Sequence, residues 1–207
     1  ESDGALDGGS SVVVFAGDTV LDGSGTMAFN HVKVTGALTN LVTISLSGNF
    51  TNNGVFDASE ADVRFVGSAP AIIAGSVSPS PIDSLIVAKS GAAVTLAVNV
   101  GSLSSLNIVS GVLDTAGFSL AQNSTDGGDL ELNAGGTLRL SGGSAFPSFD
   151  AVSLDPASTV EYTGSLAQTV AARTYANVIV RGTGTKNLTF FFNDTANTEI
   201  YTGAKVN

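Results

Sequence analysis

The sequence predicts an all-β chain wound as a parallel β-helix, or β-solenoid, of short strands. Three observations lead there. No apolar i, i+3, i+4, i+7 stripe runs beyond two helical turns. Short segments alternate apolar and polar residues between Gly, Asn, Ser and Asp, the pattern of half-buried strands bounded by turns. Those segments also recur along the chain, as stacked coils demand because each coil buries the same inward positions. An array of antiparallel β-sandwich modules is the alternative.

The strands read in order as follows. His31-Val32-Lys33-Val34 and Val42-Thr43-Ile44-Ser45-Leu46 come first, then Val63-Arg64-Phe65 and Leu85-Ile86-Val87. Val94-Thr95-Leu96 runs on into Val98-Asn99-Val100. Leu130-Glu131-Leu132, Leu138-Arg139-Leu140 and Val160-Glu161-Tyr162 follow. Each places apolar side chains on one side of the pleat and polar ones on the other.

The repetition is specific. Ala61-Asp62-Val63-Arg64-Phe65-Val66-Gly67-Ser68 returns as Ser158-Thr159-Val160-Glu161-Tyr162-Thr163-Gly164-Ser165, an offset of 97 residues. Each copy continues into an apolar pair position, Ile72-Ile73 or Thr169-Val170, and then into Ile82 to Val87 or Tyr175 to Val180. Phe29 to Val34 is a third copy of that last unit. A second family comprises Gly54-Val55-Phe56-Asp57-Ala58, Gly111-Val112-Leu113-Asp114-Thr115 and Gly136-Thr137-Leu138-Arg139-Leu140, with Phe149-Asp150-Ala151 echoing part of the first. The expected core holds Val32, Val34, Val63, Phe65, Leu85, Val87, Val160, Tyr162, Val178 and Val180.

Composition excludes several function classes. There is no cysteine, so disulfides and thiolate metal sites are absent, and a single histidine rules out a multi-histidine centre. A net charge of −10 argues against nucleic acid and anionic membranes as partners. No apolar run reaches the length of a membrane span. Glu1-Ser2-Asp3-Gly4 carries neither the basic region nor the apolar core of a signal peptide. Charged residues are 13% of the chain, against about 25% in an average domain. Low charge with abundant Ser, Thr, Asn, Gly and Val points to an extracellular or cell-surface protein.

Gly48-Asn49-Phe50-Thr51-Asn52-Asn53-Gly54-Val55-Phe56-Asp57-Ala58, followed by the Val-x-Phe-x-Gly-Ser unit and Leu85-Ile86-Val87, resembles the repeats of large secreted bacterial surface proteins, many of them adhesin-like. The resemblance covers roughly residues 27 to 189 and implies fold and location. It places no catalytic, cofactor-binding or metal residue. Beyond it, Phe190 to Thr202 resembles a translated T-run and short-read sequencing adapter, with Asn197 where the adapter gives Thr. That implies a metagenomic fragment. The chain therefore divides into a lead-in or first coil over 1–26, a solenoid repeat domain over 27–189 and a non-native tail over 190–207.

Candidate chemistry is sparse. Asp126, Asp129 and Glu131, grouped around Gly127 and Gly128, are the calcium candidates, because carboxylate oxygens are hard ligands. A single copy lacks the stacked neighbour that would complete an ion's shell, so a solvated turn is expected. Asp18 and Asp22 read the same way. Asp57, Asp114 and Asp150 hold comparable repeat positions and would form a carboxylate ladder if stacked, although Arg139 interrupts the series. His31 is matched by Ser84 and Asn177 in the other copies, so a polar strand neighbour suffices there. Asn49, Asn123, Asn187 and Asn193 lie in Asn-x-Ser/Thr sequons, which matter only in a eukaryotic secretory host. Only Thr183-Gly184-Thr185 fits the threonine ranks of an ice-binding face.

The functional expectation is a non-enzymatic structural or adhesive segment without cofactor, a monomeric part of a longer chain whose partners are surface glycans or neighbouring cells. A carbohydrate-active β-helix enzyme is one alternative. A trimeric phage fibre segment is the other.

Overall fold

The computed structural model describes residues 11–23, 25–58 and 61–188, and among these there is no helix. The tail over 190–207 lies outside the described residues. Every pairing between the described strands is parallel, so the chain is a β-solenoid and the antiparallel sandwich is ruled out.

Each turn lays up to three strands on three faces. The first turn is β1 (Val12–Phe15), β2 (Thr19–Leu21) and β3 (Met27–Phe29). The second is β4 (His31–Val34), β5 (Ala37–Asn40) and β6 (Ile44–Leu46). The third is β7 (Phe50–Asn52), β8 (Val55–Asp57) and β9 (Asp62–Gly67). The fourth runs through β10 (Ala71–Gly75) and β11 (Ser80–Pro81) into β12 (Ser84–Leu96), whose second half opens the fifth turn. That turn continues through β13 (Val100–Leu103) into β14 (Ser105–Asp114), which likewise rounds a corner. β15 (Leu120–Gln122) and β16 (Asp129–Leu132) complete the sixth turn, and β17 (Gly136–Leu140) and β18 (Ala151–Leu154) form the seventh. The eighth has two strands only, β19 (Thr159–Tyr162) and β20 (Gln168–Val170). β21 (Asn177–Val180) and β22 (Lys186–Leu188) stack on them.

Face one is the ladder β1-β4-β7-β10-β12-β14-β17-β19-β21, and face three is β3-β6-β9-β12-β14-β16-β18. Because β12 and β14 serve both, the two faces merge into one 14-stranded sheet. Face two is broken into β2-β5-β8, β11-β13-β15 and β20-β22.

Alternation explains the core. On face three Ile44, Val63, Leu85, Leu106 and Leu130 stack in register, as do Leu46, Phe65, Val87, Ile108 and Leu132. All are essentially inaccessible to solvent. Period-two side chains on stacked coils give columns of like residues, and each column excludes water along its whole length. Phe50 and Phe56 bring the ring contact of faces one and two to 4.9 Å between centroids.

Corners interrupt the ladder, and buried polar side chains satisfy the groups left over. Lys89 is fully buried, and its Nζ donates to the carbonyls of Ser47 (2.7 Å), two turns back, and Val66 (2.6 Å), one turn back. Burial pushes its pKa down. Gln168 Nε2 donates to the carbonyls of Leu140 and Ser144, both at 2.9 Å, while its Oε1 accepts from the Gly164 amide.

The repeat does not fix a face, and one core expectation needs correcting. The copies 97 residues apart do not share a face: Val63 stacks under Leu85 on face three, whereas Val160 stacks under Val178 on face one. Every face asks for the same alternation, so the repeat encodes a strand and its next-turn partner without saying which face they occupy. Val178 is 37% exposed and Val180 only partly buried, because β21 is the last described strand of face one. The other eight expected core residues are buried.

Candidate functional site

The outward positions of face one carry the densest charged arrangement. Thr95, Asp114, Arg139 and Glu161 are in register on successive turns. Arg139 Nε donates to Glu161 Oε2 at 2.6 Å, and its Nη1 lies 3.6 Å from Asp114 Oδ2. Arg181 Nη2 reaches the same Glu161 oxygen at 3.2 Å. Ser141 Oγ donates to Asp114 Oδ1 at 2.6 Å and contacts Thr163 Oγ1 at 3.2 Å. The Glu161 side chain is only 10% exposed, so it is a nearly buried carboxylate between two guanidinium groups. The hydrogen bond to Glu161 holds the Arg139 guanidinium above its ordinary pKa, against the opposing effect of burial.

This column resolves the expected aspartate series. Asp114 and Arg139 are stacked partners, so the residue that broke the pattern is the one that neutralises it. Asp57 sits on face two, and Asp150 precedes β18, where Gln122 clasps it: Gln122 Nε2 donates to its Oδ1 (2.9 Å) and its amide donates to Gln122 Oε1 (2.8 Å). The three aspartates therefore form no ladder. Glu161, Arg181 and Ser141 escaped the sequence reading. The turns between Asp114, Arg139 and Glu161 are 25 and 22 residues long, and this uneven spacing conceals the column until the register is known.

Asp114 and Glu161 stand two strand spacings apart, about 9.5 Å. Carboxyl pairs of inverting glycosidases are separated by about 6.5–9.5 Å to leave room for water. Here the Arg139 side chain occupies the interval. The group ties the sixth to eighth turns together. Replacing Glu161 with Gln is expected to cost about 1–2 kcal/mol, since both guanidinium groups lose a charged acceptor that is barely solvated. Arg181→Ala should cost under about 1 kcal/mol, because Arg181 is more than half exposed. Urea midpoints of the two variants check the order.

The calcium candidates do not converge. Asp126 lies in an exposed turn, and Asp129 points outward from β16. Glu131 accepts from Asn107 Nδ2 at 2.9 Å across turns. Among the described residues no group of three or more His, Asp or Glu side chains is placed to hold a metal ion. Millimolar calcium is expected to leave the melting temperature unchanged. A site filled at 100 times its Kd would add about 2.7 kcal/mol, so a rise of several degrees would contradict this and implicate these three residues.

The remaining singled-out residues have local partners. Asp22 Oδ1 accepts from the Gly23 amide, forming a simple turn, and Asp18 is exposed. His31 Nδ1 accepts from the Asn49 amide at 2.8 Å, joining two turns. Asn49 Oδ1 accepts from the Ile72 amide, and Asn187 lies on β22. Asn193 is outside the described residues.

An aromatic group closes the eighth turn, which has no strand on face three. The hydroxyls of Tyr162 and Tyr175 are 2.8 Å apart, and Tyr175 donates to the Ala171 carbonyl. Phe146 packs edge-on to Tyr175 and carries the Arg173 guanidinium 4.2 Å above its ring. Burial, then the bond to Tyr162, pushes the Tyr175 pKa far up. A raised folded pKa means that the neutral phenol stabilises the fold. This contribution is complete below the unfolded value of about 10 and is lost as pH rises toward the folded one. Above about pH 10, stability should fall more steeply with pH for the native chain than for Tyr175→Phe. Equal slopes in urea titrations would contradict the assignment.

The second candidate is a depression of about 200 Å³ where face two breaks between β8 and β11. It is lined by Phe56, Asp57, Ala58, Pro81, Asp83, Ser102 and Asn123. Proline at Pro81 has no amide hydrogen to give a ladder, which suits it to this discontinuity.

Comparison with protein-family models, with curated proteins and with solved structures finds no match for this chain. Among the described residues no helix is long and apolar enough to cross a membrane.

Proposed function

We propose that the chain is a non-enzymatic structural and adhesive segment of a longer, secreted or cell-surface bacterial repeat protein. The observation that carries this reading is the cross-turn bonding of its outward polar groups. Asp114, Arg139, Glu161 and Arg181 bind one another, Asn107 binds Glu131, and Ser47 binds Asn30. Such bonds stiffen a rod. Face one spans eight strand spacings from β1 to β21, about 38 Å at about 4.8 Å each. The composition and the resemblance of residues 27–189 to surface-protein repeats support the location. Surface glycans or neighbouring cells are the partners this reading assigns.

One observation favours a carbohydrate-active enzyme instead: two carboxylates and an arginine share one face, Asp114, Glu161 and Arg139. Incubation with a polysaccharide panel, followed by assays for reducing ends and unsaturated uronates, separates the readings. Glycan or cell binding without product release is expected. Product release that disappears in Asp114→Asn and Glu161→Gln would overturn the proposal. A trimer in light scattering would favour the fibre reading over a monomeric rod.

A further inference from the structure

We infer that Asp22-Gly23 is a site of spontaneous covalent modification, where the Asp22 side chain and the Gly23 amide close into a succinimide that reopens as isoaspartate. The inference stands independently of the adhesive reading. Gly23 N donates to Asp22 Oδ1 at 2.7 Å. Cγ is one carbon–oxygen bond from that oxygen, so it stands at most about 3.9 Å from the nitrogen. Intramolecular attack proceeds from about 3–3.5 Å, a geometry that a small rotation about the Asp22 Cα–Cβ bond supplies. Glycine has no side chain to shield the nitrogen. Both residues are exposed, so water leaves and re-enters freely.

The reaction balances without a further reagent. The Gly23 nitrogen bonds to Cγ of the protonated carboxyl, and the amide proton leaves with the carboxyl hydroxyl as water. Water then adds to one of the two ring carbonyls. Addition at Cγ restores aspartate. Addition at the main-chain carbonyl leaves the chain linked through the side chain, with a free α-carboxylate. No electron is transferred, and the net change is an isomerisation that lengthens the backbone by one methylene. β2 ends at Leu21, opposite Asn40, so the insertion falls in the corner beyond the ladder and breaks no strand pairing.

The fold singles this pair out from two others of the same chemistry among the described residues. Asp126 and Asn53 also precede glycine and are also exposed, so exposure does not separate them from Asp22. Geometry does. The Gly127 amide donates to the Asn123 carbonyl at 3.1 Å and not to the Asp126 carboxyl. A β-carbon built on Gly127 would overlap Asp150 Oδ2, so a carboxylate lies against this glycine and opposes loss of its amide proton. Asn53 would close the same ring with loss of ammonia. Its Oδ1 is held by the Ser76 amide at 2.8 Å, one turn on, while the Gly54 amide donates to Asn52 Oδ1 at 3.2 Å. A β-carbon on Gly54 would overlap the Gly36 carbonyl oxygen, so that turn is also packed against its neighbour.

The test is prolonged incubation of the full chain in mildly acidic buffer, folded and in concentrated denaturant. Digestion and electron-transfer dissociation then place each isoaspartate at its residue. The denatured sample supplies the intrinsic rate of each pair. Folding should leave the Asp22 rate within about twofold of its denatured value and slow Asp126 and Asn53 by about tenfold or more, because a misplacement of about 1 Å costs up to about a hundredfold. Asp3 and Asp7 also precede glycine but lie outside the described residues, and the fragmentation resolves them from Asp22. Asp22→Glu keeps the charge and sets the carbonyl one methylene too far for a five-membered ring. It should abolish the signal at that position and leave the urea midpoint unchanged. Protection of Asp22 as strong as that of the other two overturns the inference. Isoaspartate that forms at Asp126 or Asn53 as fast in the folded chain as in denaturant overturns it too.

Discussion

Replacing Phe65 with alanine is expected to cost about 3–5 kcal/mol, the range for truncating a buried phenylalanine. The residue is fully buried, between Leu46 on the turn before and Val87 on the turn after. Neither neighbour can move inward to fill the void, because each is held in its own ladder. A domain of ordinary stability has about 5–15 kcal/mol in total, so the variant should unfold at a much lower urea concentration. A loss below about 1 kcal/mol would mean that the side chain is not enclosed by three turns.

Gly75→Ala should be damaging through a different cause. Gly75 ends β10 at a corner with φ 141°, and it stacks on Asn52 of β7. A β-carbon built there would overlap the Asn52 carbonyl oxygen, which is backbone and cannot swing aside. The strained conformation alone costs about 1–3 kcal/mol, and the overlap adds to it by forcing two turns apart. Gly91 is the control. It also has a positive φ, 78°, but an added β-carbon would meet nothing within 4 Å. Gly91→Ala should therefore show the backbone strain alone and cost clearly less than Gly75→Ala in denaturant titrations. Equal losses would show that turn-to-turn approach plays no part at this corner.

The alternation of apolar and polar residues made the inward columns legible: Val63, Phe65, Leu85 and Val87 are where their pattern puts them. Their assignment to faces was not legible. The two copies of the 97-residue repeat share a pattern and not a column, for Val63 and Val160 lie on different faces. Turn lengths vary because the corners differ in length, and corner length leaves no periodic trace. Continuous strands such as β12 and β14, each serving two faces, read as separate segments for the same reason. Lys89 gave no signal either. A lysine after an alternating strand looks like a solvated one, and only the three-dimensional corner shows the Ser47 and Val66 carbonyls that draw it inside. The ion-pair column was concealed likewise, since Asp114, Arg139 and Glu161 meet through register and not through spacing in the chain.

The stacked, in-register coil can be measured with a ruler along face three. Ser45, Arg64, Ile86, Asn107, Glu131 and Ser153 follow one another outward on successive turns. The chain has no cysteine, so spin labels attach only where cysteines are introduced. Ser45→Cys with Ser153→Cys spans five strand spacings, and Arg64→Cys with Ser153→Cys spans four. At about 4.8 Å per spacing, pulsed electron resonance should give backbone separations of about 24 and about 19 Å, differing by one strand spacing. Distances that do not shorten by that step, or that exceed the first value severalfold, would contradict the solenoid.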